Sequence, residues 1–342
     1  MLDKEAQILI TGVTGFLGAY ILRLLIKEGY SNINATCRDS SKFALVDDVC
    51  DKINWLNGDL LDPLFMDDCL AQINLVIHAA ALVNANKRDK ERVDKANIEL
   101  TKNLVNQSLN NGIDRFIHIS SVASLGFGDS DAMIDEHTEW KNDKRNTVYA
   151  NSKHFAEREV FRGAAEGLNV VVLNPSLILG AGFWDSSTVS IFKFVDKGMP
   201  YYPSGSVGIV DVRDVAKAVI IAINNDDMLE KRFIISGENW THQQMSTEIA
   251  RALNSKAPTK LMSNSLERFS KKALSILESL GYRNDLISAE RIDTATAKLS
   301  YNNKASIDIG LTYRPIIDTI NETAALYIQS KKEQTSFALL DI

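Results

Sequence analysis

Short apolar runs alternate with amphipathic stretches through the first half of the chain. Ile8-Leu9-Ile10 is followed by Phe16 to Glu28, where Leu17, Tyr20, Ile21, Leu24 and Leu25 recur at spacings of three and four. A continuous apolar run suits a strand buried on both faces, and the recurring pattern suits a helix with one face on a core. Gly29 supplies the stop just past the helix end. Strand-like segments lie near 7–11, 32–37, 53–57, 75–79, 115–120 and 169–174, with helical patterns between them. Such alternation predicts an α/β chain built on a doubly wound parallel sheet. The pattern changes after Asn174-Pro175: residues 176–208 read as loop-rich, and a helix is predicted to begin within Gly208 to Ala216. Phe233 to Ser236 reads as a further strand, and 240–330 as mainly helical. The expected organisation is 1–175 with 209–238 returning to it, plus a smaller lobe of 176–208 and 239–342.

The first strand and helix are joined by Thr11-Gly12-Val13-Thr14-Gly15-Phe16-Leu17-Gly18. Glycine permits a tight turn and lets backbone approach a ligand, while a helix N-terminus offers unpaired N–H groups and a favourable dipole to an anion. A strand before and a helix after supply the context in which such glycines cradle a dinucleotide pyrophosphate. The competing reading is a turn whose glycines serve packing alone.

A second constellation lies further on. Arg115 to Ser120 reads as a strand with Ser121 at its carboxyl end, and Tyr149 and Lys153 open a helical stretch from Val148 to about Glu166. Positions i and i+4 share a helix face. A hydride added to a ketone carbon leaves charge on oxygen. A hydroxyl can hold that charge and a phenol can deliver the proton. A phenol titrates near pH 10 when unperturbed, and an adjacent ammonium lowers that value. Tyr149 is thus expected as acid–base catalyst and Ser121 as donor to the carbonyl oxygen. Tyr327 and Lys331 repeat the four-residue spacing in a C-terminal helix, without a strand-end serine before them, and read as a surface segment.

The glycine spacing and the Ser121, Tyr149-x-x-x-Lys153 set resemble the short-chain dehydrogenase/reductase family, in its extended branch. The resemblance covers nearly the whole chain. The stretches 33–38 and 174–182 are most similar to its dihydroflavonol reductase-like subgroup. It implies a Rossmann-type fold with a C-terminal substrate lobe, and cofactor contacts from Gly12, Gly15, Phe16, Leu17, Gly18, Ala79, Ala80, Ala81, Pro175 and Leu177. It further implies that Asp59, followed by Leu60, lies beside the adenine amino group. Lys153 also holds the nicotinamide ribose, and Asn97 joins the catalytic residues through a proton relay; the residues alone equally allow Asn97 as a surface amide. Two departures stand out: Asn174 where the family usually has Arg, and Leu125-Gly126 where sugar-nucleotide enzymes often have Tyr-Gly.

The end of the second strand carries Arg38, with Lys42 beyond it. A guanidinium attracts a 2′-phosphate that a carboxylate would repel. NADP is therefore expected over NAD, with Asp39 next door keeping NAD open and solvated loop charges as the alternative.

Composition adds bounds. The chain has 342 residues, enough for two lobes, and 45% hydrophobic residues. Its net charge of −6, with no basic run, argues against nucleic-acid binding. Cys37, Cys50 and Cys69 show no paired spacing, which suits a reducing compartment, and Met1 to Glu5 is too polar for a signal peptide. No apolar run is long enough to span a membrane. A cytoplasmic protein is expected, with a homodimer through 90–110 and 148–166 as one arrangement. The five histidines lack metal-ligand spacing; His78 and His118 read as hydrogen-bonded core residues. Phe183, Trp184, Phe192 and Phe194 suggest an apolar pocket wall.

The leading expectation is an NADP-dependent oxidoreductase acting on a ketone or aldehyde of a small to medium hydrophobic substrate. A sugar-nucleotide epimerase or dehydratase with retained NAD(P) is the alternative, although Ser204 to Ile209 has no basic residue for a substrate diphosphate. A non-catalytic dinucleotide sensor is a third.

Overall fold

Seven parallel strands run side by side: β3 (Asn54–Asn57), β2 (Ile33–Cys37), β1 (Ile8–Thr11), β4 (Leu75–His78), β5 (Arg115–Ile119), β6 (Val170–Pro175) and β10 (Lys231–Ile235). This computed structural model describes residues 3–38, 40–83, 90–128, 133–279 and 289–342. Every residue of β1, β4, β5 and β6 is buried, as expected for strands covered on both faces. The order reverses between β1 and β4, the crevice where open α/β sheets bind ligands.

Helices α1 (Phe16–Lys27) and α7 (Val212–Asn224) pack together on one face, and α2 (Pro63–Leu70), α4 (Leu100–Asn110) and α5 (Val148–Ala165) cover the other. A short helix α3 (Lys90–Asp94) leads into α4 through a π-helical turn, Lys95–Glu99. The C-terminal part is largely helical: α8 (His242–Ala252), α9 (Asn264–Ser279), α10 (Ala289–Thr296), α11 (Lys304–Asp308) and α12 (Ile316–Glu333), preceded by α6 (Ile191–Asp196). Two small sheets join these parts, one of β7 (Leu177–Leu179), β9 (Ser206–Asp211) and β11 (Glu238–Thr241), the other of β8 (Tyr201–Tyr202) and β12 (Lys260–Leu261).

Three expectations are corrected. Residues Gly208 to Asp211 form a strand, and the helix begins only at Val212, because the Asp211 carboxylate accepts the Arg213 N–H at 2.7 Å and caps the helix there. Trp184 and Phe192 lie in the main hydrophobic core rather than on a pocket wall. Trp184 meets Tyr327 edge-to-face, so Tyr327 is buried and the second Tyr-x-x-x-Lys set is not a surface segment. Its Lys331 is ion-paired with Asp196.

The chain end closes over the first helix. Tyr20 donates its hydroxyl to the Ala181 carbonyl at 2.8 Å and accepts the Leu340 N–H at 2.8 Å. Burial pushes that phenol upward, so it stays neutral and able to donate. No helix among the described residues is long and apolar enough to cross a membrane.

Candidate active site

The first crossover turn is shaped by contacts that admit no side chain. Gly12 has φ +77°, and a Cβ there would come within 2.6 Å of the Ala80 nitrogen. A Cβ on Gly18 would stand 2.1 Å from the Gly12 carbonyl oxygen. Gly15 is the exposed N-cap of α1 and offers no side-chain cap, so the first N–H groups of the helix have no side-chain acceptor from that position. Phe16 and Leu17 are half-buried in the first helical turn. A Cβ on Gly182 would lie 2.8 Å from the Phe16 ring, so the loop after β7 folds over this turn.

A hydrogen-bond chain ties the turn to the neighbouring helix. Thr101 Oγ1 donates to the Asn97 carbonyl at 2.6 Å, which spends its only proton. His78 Nε2, 3.0 Å from Thr101 Oγ1, must then be the donor, and His78 Nδ1 accepts from Thr11 Oγ1 at 2.8 Å. Thr11 Oγ1 in turn accepts the Ala80 N–H at 3.2 Å. Burial, with the Lys153 charge, holds His78 down to about 3, so the ring is neutral as this polarity demands. His118, expected to be hydrogen-bonded, is buried with no partner on either ring nitrogen. Burial keeps it neutral too.

Asn97 is a buried residue of the π-helical turn, not a surface amide. Its side chain accepts the Leu82 N–H at 2.8 Å and donates to the Leu82 carbonyl at 2.9 Å and to Ser152 Oγ at 2.9 Å. Ser152 Oγ donates to the Tyr149 carbonyl at 2.8 Å. Asn97 is thereby fixed to the start of α5, which Thr147 caps by accepting the Ala150 N–H at 3.0 Å. The extra residue of a π turn re-aims a side chain, and such turns recur at functional sites.

Tyr149 is half-buried, one helical turn before the buried Lys153. Lys153 Nζ donates to the Ile119 carbonyl at 2.8 Å, at the end of β5. Burial lowers this ammonium to about 8, opposed by the nearby Glu157 carboxylate. Ser121 follows β5 in extended conformation (φ −166°) and accepts the Ala123 N–H at 3.2 Å. That bond uses an oxygen lone pair and leaves the Ser121 proton available to a substrate oxygen.

The remaining expected residues fall along the same edge. Ala79, Ala80 and Ala81 are half-buried just beyond β4; Pro175 ends β6 and the half-buried Leu177 opens β7. Arg38 is exposed directly after β2. Asp59 is exposed after β3, where its carboxylate accepts the Leu61 N–H at 3.0 Å, and Leu60 is buried. Asp39 and the Lys42 side chain lie outside the described residues.

The sequence profile of the NAD-dependent epimerase/dehydratase family matches residues 8–236. The chain belongs to this family. It is similar to a Synechocystis sp. protein bearing the provisional name dihydroflavonol 4-reductase, at 29% identity over 73% of each chain. It is also similar to the cinnamoyl-CoA reductase CAD2 of Medicago truncatula, at 26% identity over 71% of this chain and 79% of the relative. Among solved structures, the crystal structure of gox2253 matches with a TM-score of 0.79 and 26% identity, covering 95% and 98% of the two chains. The protein is thus a nicotinamide-dinucleotide-dependent enzyme of the extended short-chain dehydrogenase/reductase type, similar to relatives that bear dihydroflavonol reductase-like names.

The glycine turn fits the cofactor of this family. Gly12 and Gly18 let the turn pack directly on the Ala79-Ala80 backbone and on itself, which holds the uncapped N-terminus of α1 at the end of β1 as a pyrophosphate cradle requires, and small alanines line the neighbouring strand end. The sequence reading gave no role to Ser120, Ser124 or Glu157, and noted Asn174 only as a departure from the family pattern. Only Glu157 carried a usable signal, its place four residues after Lys153 on the same helix face.

Proposed function

We propose that the protein is an NADP-dependent reductase of a ketone or aldehyde carried on a small to medium hydrophobic molecule. The observation that carries this reading is the placement of Tyr149 and the buried Lys153 on one face of α5, with Lys153 fixed to the strand end that leads into Ser121. A bound dinucleotide would supply the hydride. Ser121 donates a hydrogen bond to the carbonyl oxygen as charge gathers there and keeps its proton. Tyr149 delivers the proton that completes the alcohol. The Lys153 ammonium stabilises the phenolate left behind. With one N–H on the Ile119 carbonyl, it keeps two for the ribose hydroxyls or the phenolate. Asn97, Gly12, Gly18 and Arg38 serve binding and proton resupply. The names of the relatives support reduction of a carbonyl group.

An NADPH-oxidation screen over ketones, aldehydes, steroids and sugar nucleotides tests this reading. Consumption of NADPH with a hydrophobic carbonyl is expected. Retention of cofactor through gel filtration, with sugar-nucleotide conversion and no net oxidation, would replace it by the epimerase or dehydratase reading. Tight NADPH binding without any turnover would point to a sensor.

Arg38 sets the cofactor preference. Charge-assisted hydrogen bonds to a 2′-phosphate are worth about 1.5–3 kcal/mol, so Arg38→Ala should raise the KM for NADPH roughly 10- to 100-fold. The KM for NADH should stay nearly constant. Equal changes for both cofactors would remove Arg38 from the site.

The reaction should also weaken in alkali. Lys153 carries its charge below about pH 8 and loses it above. A pH profile of kcat for reduction should be flat from about pH 6 to 7 and fall with a midpoint near 8, because the neutral amine no longer stabilises the phenolate. A profile flat to pH 9.5 would contradict this.

A further inference from the structure

Beneath Ser121 and Lys153 lies a buried carboxylate that carbonyl reduction as described does not use. Glu157 stands one turn beyond Lys153 on α5 and is almost wholly enclosed. Its Oε2 accepts from Ser120 Oγ at 2.6 Å and from Asn174 Nδ2 at 2.8 Å, and lies 2.7 Å from Ser124 Oγ. Ser124 Oγ is also 2.8 Å from the Ser121 carbonyl, so its one proton is shared between the two acceptors. Asn174 Nδ2 reaches the same carbonyl at 3.1 Å and Ser124 Oγ at 2.9 Å. Glu157 Oε1 lies 3.1 Å from the Arg232 guanidinium, an ion pair without the alignment of a hydrogen bond. Arg232 packs over the Phe161 ring, its charge centre 5.0 Å from the ring centroid.

We propose that Glu157 is the positioning residue of this site: its carboxylate, through Ser124 and Asn174, fixes the turn that presents Ser121 and supplies the counter-charge for the Lys153 ammonium. The proposal rests on the carbonyl-reduction reading for its kinetic consequence; its electrostatic one does not need that reading, because Glu157 lies one helical turn from Lys153 on the same face of α5. Two links support it. The Ser121 carbonyl has both its bridging donors, Ser124 Oγ and Asn174 Nδ2, in contact with Glu157. At position 174, where the family usually has Arg, this chain places the neutral Asn174 on Glu157, and the cation beside Glu157 comes from Arg232 of β10.

The second link is charge. Around Lys153 stand Tyr149 and Glu157 on its own helix, His78 from β4 and His118 from β5. Both imidazoles are buried and neutral. Among the described residues, Glu157 is the group whose charge opposes the loss of the Lys153 proton on burial. Around Glu157 itself stand Arg232 from β10, with His154 and Arg158 on α5. The neutral isostere Glu157→Gln should therefore release the Lys153 proton at lower pH. Arg232→Gln removes a cation from the same cluster and should act in the opposite direction.

The test is an NMR titration of the Lys153 side chain in 13C-lysine-labelled wild type, Glu157→Gln and Arg232→Gln, paired with kcat and KM. The Lys153 midpoint should fall by about 1 pH unit in Glu157→Gln and rise by about half a unit in Arg232→Gln. For Glu157→Gln, kcat should fall about 10-fold with KM for NADPH little changed, as expected when a hydrogen-bond donor to the reacting oxygen is displaced; Glu157→Asp should recover part of it. A Lys153 midpoint unmoved in both variants, or a loss of kcat with lower Tm alone, overturns the proposal. If Glu157→Gln does not fold, the upward shift in Arg232→Gln, whose side chain is partly exposed, decides. A wild type inert toward every carbonyl would end the reduction reading, and the titration would still test Glu157.

Discussion

Tyr149→Phe should lower kcat for carbonyl reduction about 1,000-fold, within the range that a positioned general acid supplies. The dissociation constant for NADPH should change little, because the ring remains and only the hydroxyl is removed. The magnitude follows from the site's construction. Tyr149 sits at the capped start of α5, held by Ser152 and Asn97 from below, with Lys153 one turn further along. The second Tyr-x-x-x-Lys pair is occupied elsewhere: Tyr327 is buried against Trp184 and its Lys331 is tied to Asp196. Steady-state kinetics together with a fluorescence titration of NADPH measure both quantities. Retained turnover with intact binding would remove Tyr149 from the chemistry.

Gly18→Ala should have the second largest effect, and on binding rather than on proton transfer. The added methyl would stand 2.1 Å from the Gly12 carbonyl oxygen and 2.8 Å from the Val13 Cα. Both contacts are to backbone, so no side chain can rotate away. The turn must open or the helix must shift, and either change moves the N–H groups on which the proposed function seats the pyrophosphate. A loss of about 100-fold in NADPH affinity, or roughly 2.7 kcal/mol, is expected. Isothermal titration with NADPH measures it, and circular dichroism establishes that the variant is folded. Unchanged affinity in a folded variant would show that the phosphates do not sit on this turn.

The sheet was legible because its buried strands are continuous apolar runs and its helices keep a 3.6-residue period. The glycine turn was legible because three small residues interrupt those patterns at a strand-to-helix junction. Gly208 to Asp211 was not, since Ile209 and Val210 are followed by Val212, Val215 and Ala216 of α7 with only charged residues between them. The boundary is set by one carboxylate, Asp211, bonding to the Arg213 N–H, and a single cap is a faint signal in such a stretch. The burial of Asn97, named as a candidate by resemblance, was left open for a different reason. That burial depends on a π turn, which inserts a residue and shifts the helix face that a regular period would assign. Tyr327 looked exposed because its helix also carries Lys331 and Lys332, while the surface it meets, Trp184, comes from more than a hundred residues earlier. The Glu157 cluster joins β5, α5, β6 and β10, and contacts of that range leave no local pattern.

The most direct measurement follows the hydrogen itself. With NADPH dideuterated at the nicotinamide C4 and a carbonyl substrate found in the screen, mass spectrometry and NMR of the alcohol should find one deuterium, on the carbinol carbon, and an equal amount of NADP formed. A product free of deuterium, or substrate converted while the dinucleotide stays bound and unoxidised, would contradict carbonyl reduction at Ser121, Tyr149 and Lys153.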